Sequence, residues 1–295
     1  HRGRRRGHGR RWRAIESMAT QIALCNLVVI SDTHCGCQLG LCPPKRIRLD
    51  EGGSYSPSRL QRKVWRCWED LWRQWVPEAT RGEPYAIVVN GDTLDGRHHG
   101  AVTQFAANLA DQARVAYEAL APVVEGHPLY MIRGTEAHVG PSAEAEEQLA
   151  ERLGAIPDED GRYARWELWK WLAGRKKLVH FLHHIGVTGS QAYEATAVHK
   201  ELVEAFAEAA RWRQHPPNAV IRSHRHRFTE TRIPTADGAA IAAVTPGWQL
   251  KTPFAWKVPG GRQSLPQIGA LLVRVARGEI YVREKIYPLT RSRAE

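Results

Sequence analysis

The chain of 295 residues carries a formal net charge of +11, with 43% hydrophobic and 25% charged residues. That composition belongs to a globular protein with a large core and excludes a disordered chain, and no apolar run approaches the roughly 20 residues that span a bilayer. The positive charge would attract polyanions, but residues 1–17, HRGRRRGHGRRWRAIES, hold seven arginines against one glutamate, so the rest is only mildly basic.

This leader lacks the apolar stretch of a secretory signal, and Met18 follows it directly. The expectation is a natural start at Met18, with residues 1–17 a disordered arginine-rich leader and residues 18–295 one domain. Five cysteines, an odd number, point to reduced thiols and a cytoplasmic setting rather than a disulfide framework. Cys35, Cys37 and Cys42 lack the paired spacing of a structural zinc site and are read as plain thiols.

In chain order, the first strand is NLVVISDTH, an apolar run that stops at Asp32 and His34. A helix follows from about Pro57 to Val76, with Trp65, Trp68, Trp72 and Trp75 at spacings of three and four on one side. That stripe is expected to pack on a sheet; a homo-oligomer contact through it is the other use open to it. The later strands are YAIVVNGDTLDG, PLYMIRGTEAH, LVHFLHHIG and NAVIRSHRHR, separated by helices over Thr103 to Leu120, Ser142 to Leu153 and Ala195 to Arg213. Short unbroken apolar runs suit strands buried on both faces. Strand and helix alternate, giving an α/β chain whose ligands should bind at the carboxyl ends of the strands. Two hairpins, turning at Asp237-Gly238 and Arg277-Gly278-Glu279, are expected to extend a second sheet. Pro253 to Pro266 reads as a surface loop near the site.

Each of the five runs ends in polar residues: Asp32 and His34; Asp92 and Asp95; Thr135, Glu136 and His138; His183 and His184; His224 and His226. Brought together in a dry core, so many carboxylates and imidazoles would be left unsatisfied. A pair of divalent cations resolves that conflict. Mixed carboxylate and imidazole donors suit Mn, Fe, Zn or Ni better than Ca or Mg. Residues two apart at a strand end point the same way, so Asp32 with His34, and His224 with His226, can reach one ion cluster.

These five ordered segments resemble the blocks of the calcineurin-like metallophosphoesterases, written D-x-H, G-D-x-x-D, G-N-H-[DE], H and G-H-x-H. The resemblance runs from about Leu24 to Val244; LGLCPP and TPGWQLKTPFAW are similar to phage or prophage members. It implies a four-layer α/β/β/α sandwich of two mixed sheets flanked by helices. It also implies Asp32, His34, Asp92 and His226 around one ion, with Asp92 bridging to a second that His183 and His224 bind. His184 competes with His183 for the fourth block. In the third block Thr135 stands where the family has its asparagine ligand, and Glu136 where it has the histidine that assists the leaving group. Thr135 would be a poorer ligand, and His138 takes the acid role if the loop bends back. Ser223 replaces a glycine.

Such a site would hydrolyse phosphate esters with a hydroxide shared by two ions, Mn being favoured. Arg97, His98, His99 or Arg225 would hold the second phosphate substituent. Diesters are preferred over monoesters, by family habit and because no arginine pair stands ready for a dianion. A nucleotide or nucleic acid is one form of such a substrate. The alternatives are a phosphomonoesterase or protein phosphatase, and a nucleic-acid-binding phage accessory protein whose site has decayed.

Overall fold

The computed structural model describes residues 24–98, 100–186, 190–257 and 264–289. The leader, His99 and residues 258–263 of the predicted loop lie outside them. The strands and helices are, in chain order, β1 (Asn26–Ile30), β2 (Ile47–Arg48), β3 (Ser54–Tyr55), α1 (Arg59–Asp70), α2 (Val76–Thr80), β4 (Tyr85–Asn90), α3 (Leu109–Val124), β5 (Leu129–Ile132), α4 (Glu136–Val139), α5 (Glu144–Leu153), β6 (Ala164–Arg165), β7 (Glu167–Leu172), β8 (Lys177–Leu182), α6 (Glu194–Arg211), β9 (Ala219–Arg222), β10 (Thr229–Thr235), β11 (Gly238–Val244), β12 (Ile268–Ala276) and β13 (Glu279–Tyr287).

They form a six-stranded sheet in the order β13-β12-β1-β4-β5-β6, a five-stranded sheet in the order β10-β11-β9-β8-β7, and the small β2-β3 ribbon. Both large sheets are mixed. In the first, β1, β4, β5 and β6 run parallel and β12 is antiparallel to β1. In the second, β8, β9 and β11 are parallel, with β7 and β10 antiparallel at the edges.

The unbroken apolar runs are buried on both faces. Leu27, Val29, Ala86 and Val88 join Phe181, Ile221 and Ile241 of the other sheet in one core. Their neighbours Val28, Ile30, Ile87 and Val89 meet α1, α3 and α5 through Trp68, Val115 and Leu149 in another. A third cluster packs Val198 and Leu202 of α6 on Val220, Ala242 and Val244.

The tryptophan stripe faces inward. Ser58 caps α1 in a capping box with Gln61. The helix continues through a π-helical turn, Leu71–Trp75, into α2 and ends at Arg81 with φ 57°. Trp68 meets Trp248 edge-on at 4.9 Å and Trp72 at 5.5 Å.

Two expectations change. The helix predicted from Thr103 begins at Leu109, because Asn108 accepts a hydrogen bond from Ala110 N and caps it. The preceding residues instead bond to the loop after β1, Gln38 N to Thr103 O and Phe105 N to Gly36 O. Of the two hairpins, only β10–β11 extends the second sheet; β12–β13 joins the first beside β1. β12 is buried on both faces, with Leu271 and Val273 between the sheets and Ala270 and Leu272 on the helix side, which suits its interior place between β1 and β13.

Candidate metal centre

The polar tips converge at the carboxyl ends of the strands, where backbone bonds lock neighbouring loops together. Asp32 N donates to Gly91 O at 3.0 Å, His34 N to Asp92 O at 3.1 Å and Trp248 N to Asp32 O at 2.9 Å. Across the sheets, Asn90 Nδ2 donates to Ser223 Oγ at 2.7 Å and to Leu182 O at 3.3 Å. Ser223 thus ties the fifth tip to the second. Asp32, His34, Asp92, His224 and His226 all have positive φ, from 42° to 70°. Side chains other than glycine adopt that region at a cost of about 1–2 kcal/mol each, and such outliers collect at functional sites.

Three donor groups arise among the described residues: Asp32, His34 and His226; Asp92, His183 and His224; and His34, Asp95 and His138. In each, the donor atoms lie within 4.8 Å of one another. His34 Nε2 and His226 Nε2 face each other at 3.1 Å, and His226 Nε2 is 3.1 Å from Asp32 Oδ1. Two imidazole nitrogens and a carboxylate oxygen aimed at one point need a cation or a proton between them. Asp32 Oδ1 is buried and makes no well-aligned hydrogen bond, which suits a cation ligand better than a member of a finished hydrogen-bond network.

In the second group, His183 Nδ1 is 2.6 Å from Asn90 O, which fixes the proton on that nitrogen. Its Nε2 is 3.0 Å from Asp92 Oδ2, and His224 Nδ1 is 3.8 Å from the same oxygen. His183 thus faces the carboxylates, whereas His184 is exposed and meets His224 ring to ring at 4.9 Å. Burial would lower the His183 pKa, but the Asp92 and Asp32 carboxylates raise it to about 10. Burial would raise Asp32, yet His226 and His183 bring it to about 2. Asp92, although buried, is held well below the usual carboxylate range by His183. A proton on His183 occupies the place that the donor set offers a cation. The residues present therefore fit divalent metal ions.

Thr135 lies against Asp92. Its N donates to Asp92 Oδ1 at 2.7 Å, and its hydroxyl reaches both carboxylate oxygens at 3.2 and 3.3 Å. Glu136 is exposed. The loop does bend back through the single turn α4. It carries His138 to 3.9 Å from Asp92 Oδ2 through Nε2, while Nδ1 meets Asp95 O at 2.7 Å. Burial and the nearby His34 lower its pKa to about 4. His34 and His138 meet edge-on at 4.4 Å, and His98 lies 4.3 Å beyond.

The expected phosphate-holding arginines are otherwise engaged. Arg97 donates to Ala107 O, and Arg225 to the carbonyls of Gly186 and Glu194. His98 Nε2 is 3.6 Å from Asp95 Oδ2.

Three residues gained no role from the sequence. Asp95 Oδ1 is 3.3 Å from His34 Nδ1 and accepts from Gln249 Nε2 at 3.1 Å, so it stands behind a histidine of the first group. Glu146, fully buried, accepts backbone N–H bonds beside Asp92 and Thr135. Asp95 was visible as the last aspartate of GDTLD, but nothing marked Gln249 or Glu146. No disulfide joins the five cysteines, all of them described residues, and none enters the three donor groups. No described helix is long and apolar enough to cross a membrane.

No protein-family model matches the sequence, and no curated protein does. Solved structures give distant likenesses. A mutant of Vps29 from Entamoeba histolytica is 9% identical with TM-score 0.34, over 89% of this chain and 99% of that one. Sulfate thiohydrolase SoxB from Thermus thermophilus is 12% identical with TM-score 0.39, over 90% of this chain and 57% of that one. A 5'-nucleotidase from Candida albicans is 11% identical with TM-score 0.34, over 84% and 51%. Likeness at this level carries no statement about chemistry.

Proposed function

We propose that the protein is a metal-dependent phosphoesterase of the calcineurin-like type, one domain of four α/β/β/α layers, acting on phosphodiesters in preference to monoesters. The observation that carries this reading is the meeting of two donor groups, Asp32/His34/His226 and Asp92/His183/His224, at the carboxyl ends of strands from two sheets.

Asp32, His34 and His226 would hold one divalent ion and His183 and His224 the other, with Asp92 shared between them. Thr135 serves Asp92 through its hydroxyl and is also proposed beside the second ion. Two such ions, Mn in our proposal, supply Lewis acidity and lower the pKa of water, so no serine or cysteine nucleophile is required.

His138 would be the residue that moves a proton. Its Nδ1 hydrogen is committed to Asp95 O, which leaves Nε2 as an acceptor on the Asp92 side. It would take a proton from the attacking water and return it to the departing alkoxide. Asp95 orients His34, and Ser31 Oγ, donating to Asp32 Oδ2 at 2.6 Å, orients Asp32. The diester preference is supported by the engagement of Arg97 and Arg225 with backbone carbonyls, which leaves them poorly suited to neutralise a dianionic monoester. Arg97, His99 and Arg225 remain proposed contacts to the outer part of the substrate.

The test is a rate comparison. Metal-free protein loaded with Mn²⁺ should cleave a bis-aryl phosphate faster than the mono-aryl analogue, and Asp92→Asn should abolish both. Undiminished turnover in Asp92→Asn would remove the basis of the reading.

A further inference from the structure

Glu146 is a glutamate in the first turn of α5, where a carboxylate ordinarily faces water, yet it is 0% exposed. A buried carboxyl group costs several kcal/mol unless its oxygens are satisfied. Both are satisfied, and by backbone: Oε1 accepts from Thr93 N at 2.8 Å and Oε2 from Gly134 N at 2.8 Å.

The identity of those two donors matters. Thr93 directly follows Asp92, and Gly134 directly precedes Thr135, whose own N donates to Asp92 Oδ1 at 2.7 Å. The contacts close a ring that runs from Asp92 to Thr93, across Glu146 to Gly134, and through Thr135 back to the Asp92 carboxylate. The fit within the ring is tight, since a Cβ on Gly134 would lie 2.1 Å from Asp92 Oδ1. Glu146 is the member of the ring that grips both loops by their backbone, while Thr135 holds the Asp92 carboxylate itself.

We propose that Glu146 is a positioning residue: it fixes the orientation of the Asp92 carboxylate through two backbone N–H groups, and so sets the affinity of the ion shared with His183 and His224. This rests on the two-metal reading above. A glutamine of the same shape offers one acceptor oxygen and turns its NH₂ toward the other N–H, so Glu146→Gln breaks one arm of the clamp. Loss of a partner bonded directly to a ligand weakens metal binding by about 10–100-fold; Glu146 acts one step further out, through Thr93 and Gly134, so the low end of that range is expected, and because Asp92 is shared the loss falls on the ion pair.

Glu147 supplies the control. It sits on the same helix and accepts from Tyr163 N and Ala164 N at 2.7 and 2.9 Å, on the side facing β6. Mn²⁺ titration calorimetry on the full chain, with electron paramagnetic resonance to detect the exchange-coupled ion pair, should show two sites in the unsubstituted protein. Glu146→Gln should lose the coupled signal at Mn²⁺ levels that saturate the parent, and Glu147→Gln should keep it. Parent-like binding in Glu146→Gln, or equal loss in Glu147→Gln, would overturn the assignment. A parent that binds no ion pair would instead overturn the two-metal reading. Should Glu146→Gln fail to fold, Glu146→Asp, with both acceptors on a side chain one methylene shorter, is expected to shift the second site in the same direction and is judged by the same outcomes.

Discussion

Loading the site with metal should expel a proton from His183. This imidazole is buried, with Nδ1 committed to Asn90 O at 2.6 Å and Nε2 3.0 Å from Asp92 Oδ2 and 3.9 Å from Asp32 Oδ1. Burial would lower its pKa, but the two carboxylates raise it to about 10. At about pH 7.5 the metal-free protein therefore carries a proton on Nε2, the atom that must bind the ion. Removing it costs about 3 kcal/mol at that pH, a few-hundred-fold in apparent affinity. Titration calorimetry of the metal-free protein with Mn²⁺, repeated in buffers of different ionisation enthalpy, reads the proton count directly. Release should approach one proton from this residue, and apparent affinity should rise roughly tenfold per pH unit between about pH 7 and 9. Binding that releases no proton, with affinity flat across that range, would refute the assignment of His183 as a protonated ligand.

The same shifts predict how the metal-free fold responds to pH. His183 has a raised pKa, so its stabilising contribution is full below its ordinary value of 6.5 and is lost as pH rises toward about 10. His138, depressed to about 4, contributes above 6.5 and loses that contribution as pH falls toward about 4. Glu146, raised by burial to about 7, acts in the opposite sense between pH 4.5 and 7, so the decline expected in thermal melts of metal-free protein is the one above pH 7, which metal should flatten; a metal-free midpoint that rises from pH 7 to 9 would contradict this. Gly134→Ala should displace Asp92 and cost about 1–3 kcal/mol of stability together with Mn²⁺ binding, checked by denaturant melts and titration. Trp68→Ala, which empties a site 2% exposed between Trp72 and Trp248, should cost about 3–5 kcal/mol in the same melts while leaving the Mn²⁺ stoichiometry unchanged.

The parts of this molecule that could be read from its sequence are those where local pattern and long-range packing agree. NLVVI, YAIVVN, LYMI, LVHFL and AVIR are strands because short, mostly apolar runs suit sheets covered on both faces, and their polar tips stood out by contrast. Partners chosen across long separations were not readable. The pairing of β12 with β1, Asn26 to Arg274, depends on which edge of the first sheet is open rather than on either segment. Glu146 lies in EAEEQLAERL, where four glutamates share an amphipathic helix and only the fold decides which turns inward. The late start of α3 was encoded in Asn108, a capping residue overshadowed by the helical pattern upstream.

The central claim is that two ions share this site, and anomalous diffraction from a crystal of the Mn²⁺-loaded protein tests it most directly. Two peaks are predicted, one among Asp32, His34 and His226 and the other among His183 and His224, with Asp92 between them. Crystals saturated with Mn²⁺ that show no peak within bonding distance of these side chains, or a single one, would contradict the account.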